Sequence, residues 1–113
     1  MKKILTLLLQ LLLITGSGCL SGAVSAADTD GAILVQERRC YGCHHITQAL
    51  IGPAYTAIAA RHAVNMPTME KVLARKIIDG GAGNWGVVPM VPNEQVSEDE
   101  ARAIARWILN LAK

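Results

Sequence analysis

The sequence predicts an all-α protein. Apolar residues recur at helical spacing in several segments, and no segment sustains the period-two alternation of a half-buried strand. The C-terminal segment also opens on Ser97-Glu98-Asp99-Glu100, a capping box. The Ser97 hydroxyl can accept from the Glu100 amide, and the Glu100 carboxylate can reach back to the Ser97 amide.

In chain order, Met1-Lys2-Lys3 is a positive n-region, and Ile4 to Ile14 is apolar apart from Thr6 and Gln10. Small residues then lead to Val24-Ser25-Ala26. This is the pattern of a secretory signal peptide, residues 1–26, cut after Ala26 to leave one small domain, residues 27–113. The apolar run is shorter than the ~20 residues of a membrane span, so no integral span is expected in the mature chain. Lipidation at Cys19 is a minor alternative, because Gly16-Ser17-Gly18 lacks the leucine that would begin a lipobox.

The first helix of the domain is expected to be capped by Asp30, with Ala32 to Val35 apolar and Arg38 and Arg39 at its negative end. A short helix follows Gly52-Pro53, with Pro53 at its first position, carried by Ala54, Tyr55, Ala57, Ile58, Ala59 and Ala60. A third runs from about Thr68 to Ile78, burying Met69, Val72, Leu73 and Ile77 and stopping at Gly80-Gly81. The last buries Ala101, Ile104, Ala105, Ile108 and Leu111, with Trp107 beside the stripe. Residues 79–93, DGGAGNWGVVPMVPN, fit neither period. Their glycines and prolines exclude a continuous helix or central strand, and so long an irregular segment in a small domain points to function.

Composition narrows the function. Removing Lys2 and Lys3 balances 11 basic side chains against 9 acidic ones. The charges are scattered, so nucleic-acid binding is not expected. Phe is absent and aromatics make up 4% of the chain, so aliphatic residues must build the core unless a bound aromatic group helps to fill it. A domain this small leans on a staple or a cofactor.

The chemistry concentrates in Cys40-Tyr41-Gly42-Cys43-His44-His45. A redox dithiol is one reading, but such motifs follow a strand in a βαβ unit, and no strand pattern precedes this one. A zinc site is another, but it needs a distant second ligand pair, whereas only His62 is available. The third reading is C-x-x-C-H, the attachment signature of c-type haem. Two thiols spaced by a short loop can bond the two vinyl groups of one porphyrin, and the next residue, His44, is carried beneath the iron. The export signal, the helical pattern and the Met90 loop favour this reading.

A haem iron needs a sixth ligand or an open position. His45 adjoins His44 and cannot cross the macrocycle. His62 lies on the Tyr55/Ile58/Ala59 stripe near a helix end, and reads as a partly exposed histidine. Met69 reads as core. Met90, on a glycine-rich loop stiffened by Pro89 and Pro92, is the candidate. A thioether favours Fe(II) and raises the potential relative to two imidazoles. With six ligands in both oxidation states, such an iron passes single electrons and offers no vacancy to a substrate.

Four blocks then carry a resemblance: CYGCHHI, IGPAYTAIAARHA, GNWGVVPMVPN and SEDEARAIARWILNLAK. Together they resemble the small bacterial class I cytochromes c of the cytochrome c-551/c-552 (c8) group, over nearly the whole mature chain. The resemblance implies the cytochrome c fold, about four helices around one covalently bound haem c, with the first and last helices packed crosswise. It implies Cys40 and Cys43 as thioether positions and His44 and Met90 as axial ligands. It further implies that the Pro53 carbonyl accepts from His44, that Trp85 and Lys76 approach a haem propionate, and that Asn93 donates to the Met90 sulfur. Two departures stand out: PMVP replaces the familiar PMPP, and His45 is unusual at its position. Family members often carry Arg where Lys76 stands.

The expected function is that of a monomeric periplasmic one-electron carrier, not an enzyme. It would dock redox proteins briefly through the exposed haem edge. The alternatives are a haem subunit of a periplasmic oxidoreductase and a ligand-binding haem sensor. Either needs a labile Met90 or an added catalytic group, and the sequence shows no second haem motif and no acid–base cluster in the Met90 loop.

Overall fold

The computed structural model describes residues 26–113. Residues 1–25 of the expected signal peptide, and Cys19 with them, lie outside the described residues. Four α-helices follow in order: α1 (Ala26–Glu37), α2 (Tyr55–His62), α3 (Met66–Asp79) and α4 (Glu98–Asn110). Short 3-10 turns occupy Cys40–Gly42 and Ala63–Asn65. Among the described residues the only sheet-like pairing is an antiparallel bridge between Gly81 and Met90, and no helix is long and apolar enough to cross a membrane.

Helix α4 is the hub. It packs on α1 and α3, and more lightly on α2. Its capping box is complete. Glu100 N donates to Ser97 Oγ at 3.2 Å, and Ser97 N donates to the Glu100 carboxylate at 2.9 Å. Ala101, Ile104, Ala105 and Ile108 are buried as the periodicity predicts, and Leu109 joins them while Leu111 is only half-buried. Val35, Tyr55, Ile58, Ala74, Ile77 and Val96 complete the core.

The closest approach of α1 and α4 depends on Gly31. A Cβ there would lie 2.3 Å from Trp107 Cβ and 2.6 Å from the Ala103 carbonyl oxygen. A glycine inside a helix costs about 1 kcal/mol relative to alanine, and here it lets the two backbones meet. Two ion pairs flank the hub: Arg38, just past the end of α1, with Glu100 of α4, and Arg106 with Glu70, a two-bond fork at 3.0 Å joining α4 to α3.

Three boundaries differ from the sequence expectation. Asp30 sits inside α1 and does not cap it, because the helix already begins at Ala26, among alanines that favour helix. Pro53 lies outside α2. Ala54 is the N-cap, with φ −61° and ψ 142°, and the Pro53 carbonyl is turned toward His44. Helix α3 begins at Met66, because Pro67 fits its first turn, where the missing N–H costs nothing. On α3 the buried face is also rotated: Val72 is exposed and Ala74 is buried.

Candidate functional site

The chain reaches the motif through Arg39, whose φ of 59° is left-handed for a non-glycine residue and turns the backbone from α1 into the Cys40–Gly42 turn. Within that turn Cys43 N and His44 N both donate to the Cys40 carbonyl, at 3.1 and 3.0 Å. Cys40 is half-buried, Cys43 is exposed, and the two are unbonded to each other. Burial pushes the Cys40 thiol up from its usual pKa. A redox dithiol needs the reverse, a stabilised thiolate. Among the described residues, no three His, Cys, Asp or Glu side chains gather as a zinc site requires.

His44 is buried, and its orientation is fixed from three sides. Its Nδ1 lies 2.8 Å from the Pro53 carbonyl oxygen. A carbonyl only accepts, so Nδ1 carries the hydrogen and Nε2 keeps a free lone pair. The Tyr55 ring stacks on the imidazole, with centroids 5.2 Å apart and planes 17° apart, and Trp107 meets Tyr55 edge-on at 5.3 Å. On a third side stands Gly52, where a Cβ would fall 2.4 to 2.9 Å from three ring atoms. The returning strand of loop is tied to the motif by Gly52 N to Cys43 O at 2.7 Å and Tyr55 N to His45 O at 3.0 Å. His45 is exposed, and its Nδ1 accepts from Thr47 N at 3.2 Å. The Tyr55 hydroxyl is buried beside the Cys40 thiol, and burial, with the nearby Cys40, pushes the phenol well above its ordinary pKa.

The second half of the site is the loop from Gly80 to Asn93. Gly81 and Met90 exchange backbone hydrogen bonds at 2.9 Å in both directions. Gly80 has φ 67°, and a Cβ there would lie 2.3 Å from the Met90 carbonyl oxygen. Only glycine meets both demands, and so it seats the Met90 backbone against the end of α3. The Met90 residue is half-buried. Asn93 closes the loop: its backbone N donates to Ile78 O, and its Nδ2 donates to Ile77 O at 2.9 Å and Val91 O at 3.2 Å. Both contacts go to carbonyls and tie the loop to α3. Trp85 is half-exposed near the loop tip, and the exposed Lys76 lies alongside Gly81.

The residues fit a haem. Two unpaired thiols and an imidazole with a free Nε2 face the donor chemistry that such a group requires. Several bulky apolar side chains remain exposed in the segments that follow the motif and carry Met90: Leu50, Ile51, Val87, Val88 and Val91. That much apolar surface in so small a domain calls for a cover. Sequence reasoning overlooked the roles of Gly31 and Gly52, which depend on what approaches them, and of Arg61, whose hydrogen-bond partner is 23 residues away.

A helical scaffold that carries a C-x-x-C-H turn and a methionine-bearing loop has the parts of a monohaem electron carrier. The comparisons agree. The family model for cytochrome c matches residues 29–112. The chain is 39% identical to cytochrome c-551 of Pseudomonas aeruginosa over 99 residues, covering 88% of this chain and 90% of that one. It is 39% identical to cytochrome c-552 of Nitrosomonas europaea over 95 residues, covering 84% and 88%. The crystal structure of wild-type N. europaea cytochrome c552 superimposes with a TM-score of 0.68 at 41% identity, covering 71% of this chain and 98% of that one. The chain belongs to the cytochrome c family, as a small class I member of the c-551/c-552 group. Its cofactor is one covalently attached haem c, and its role is electron transport.

Proposed function

We propose that the chain is a periplasmic one-electron carrier whose iron is held by His44 and Met90. When bound, the haem supplies a one-electron Fe(III)/Fe(II) couple. The chain's own residues do the rest. Cys40 and Cys43 anchor the porphyrin edge through thioethers. His44 presents Nε2, and its Nδ1–H donates to Pro53, which makes the imidazole a stronger donor. Met90 supplies a soft, weak ligand that favours the reduced state. Trp85 and Lys76 face a propionate, and Asn93 holds the loop that carries the sulfur.

The observation that bears most of this reading is the buried His44 with its 2.8 Å bond to Pro53, which occupies Nδ1 and leaves Nε2 as the donor nitrogen. Residues 1–26 act as an export signal, and residues 27–113 form the mature monomer. Redox proteins dock briefly at the exposed haem edge. The test combines three readings on the holoprotein. Oxidised protein shows the weak far-red band of methionine–Fe(III) ligation, reduced protein refuses carbon monoxide at neutral pH, and potentiometry follows a single one-electron curve. Rapid carbon monoxide binding would point instead to a vacant or labile position.

A further inference from the structure

The loop between Gly81 and Met90 is secured at its base and its exit, by the Gly81–Met90 exchange and by Asn93. Its tip is a different matter. Residues 81 to 89 are exposed, and within the tip a Gly83 N to Gly86 O bond at 2.9 Å makes only a local turn. A side chain from another element reaches this tip. Arg61, in the last turn of α2, donates from a terminal guanidinium nitrogen to the Asn84 carbonyl oxygen at 2.9 Å. The same guanidinium lies over the Trp85 ring, 4.9 Å from its centroid. The ring of the neighbouring His62 meets Trp85 at 6.5 Å, edge-on.

We propose that Arg61 is a positioning residue for Met90: by clamping Asn84 and Trp85 to the end of α2, it slows departure of the thioether from the iron. The proposal rests on the His44/Met90 ligation above. Two contacts from one planar fork restrain two successive residues, which lysine cannot reproduce with a single flexible ammonium. Without the clamp, the tip between Ala82 and Val88 is free to swing about its glycines, and only the Gly81–Met90 exchange and the weak iron–sulfur bond resist the pull on Met90. The clamp therefore acts on the rate of opening more than on the closed geometry.

The experiment follows imidazole binding to the oxidised holoprotein by stopped flow. At saturating imidazole the rate reports departure of Met90. Arg61→Gln and Arg61→Lys should both raise that limiting rate, by about tenfold for the loss of one charged hydrogen bond and one cation–π contact. Arg102→Gln, which removes an equal charge from α4, should leave it unchanged. Trp85→Leu should raise the rate, and adding Arg61→Gln to it should have much less effect than on the parent, since the two side chains work as one unit. A limiting rate within twofold of the parent in Arg61→Gln, or full restoration by Arg61→Lys, overturns the clamp while the far-red band of the parent leaves the ligation intact. A parent protein without that band overturns both.

Discussion

Gly52→Ala tests how the imidazole is held. The new Cβ would fall 2.4 Å from His44 Cε1, 2.8 Å from Nδ1 and 2.9 Å from Nε2. Ordinary carbon–carbon contact begins near 3.5 Å, so ring and backbone must separate by about 1 Å. The ring cannot slide away freely, because Tyr55 is stacked on it at 5.2 Å and is itself braced by Trp107. Retreat by that distance would carry Nδ1 from 2.8 Å to beyond hydrogen-bond range of Pro53 O. Overpacking costs about 1–3 kcal/mol and the lost hydrogen bond about 1 kcal/mol, so the variant should lose about 2–4 kcal/mol. Guanidinium unfolding of the oxidised holoprotein measures this directly. The same variant has an electronic signature. With its Nδ1–H no longer donating to a carbonyl, the imidazole becomes a poorer donor and stabilises Fe(III) less, so the potential should rise. A variant that keeps both its stability, within about 0.5 kcal/mol, and its potential would refute the idea that Gly52 and Pro53 together fix the ring.

Further outcomes follow from other contacts. Ile104→Ala, at a side chain 2% exposed in the α4 hub, should cost about 2–5 kcal/mol by chemical denaturation, with the far-red band retained in the folded fraction. Ser97→Ala removes one arm of the capping box and should cost about 1 kcal/mol in the same assay. The stability of the holoprotein should fall in acid. Glu100 is held below its usual pKa by the Ser97 amide and then by Arg38, and Glu70 by its hydrogen bonds from Arg106. Their folded-state pKa values lie below the unfolded ones, so their stabilisation is present above the ordinary carboxylate range and is lost as pH falls through the lowered values. Glu100→Gln with Glu70→Gln should flatten that acid limb in a pH series of unfolding midpoints. An unchanged limb would assign it to other groups.

Much of this molecule is legible in its sequence, for reasons that differ by element. Helix α4 announces itself because its start signal and its apolar period agree, and both survive in the structure at Ser97, Glu100, Ile104 and Ile108. The motif is legible because covalent chemistry constrains spacing: two thiols and an imidazole cannot reach one porphyrin edge and its iron from many other arrangements. The Met90 loop is legible as an exception, from glycines and prolines that fit no period. Helix starts are less so. Pro53 reads as a first-turn proline but is not one, because its carbonyl is taken by His44 and the chain there stays extended, whereas Pro67, read as preceding a helix from Thr68, sits in the first turn of α3. Gly31 and Gly52 are silent in sequence, since a glycine required for close approach looks like any other until its neighbour is known. The long-range partners of Arg38, Arg61 and Arg106 are invisible for the same reason. The partners lie 62, 23 and 36 residues away, beyond any local pattern.

The most direct measurement of the central claim is the proton spectrum of the reduced holoprotein, with methionine methyl groups carbon-13 labelled. A methyl on a sulfur bound to iron sits over the porphyrin ring current and moves far upfield. One shifted thioether methyl is expected, and it should vanish in Met90→Leu while the signals of Met66 and Met69 stay near their ordinary positions. No upfield methyl in the parent, or one that persists in Met90→Leu, would contradict His44/Met90 ligation and the electron-carrier mechanism built on it.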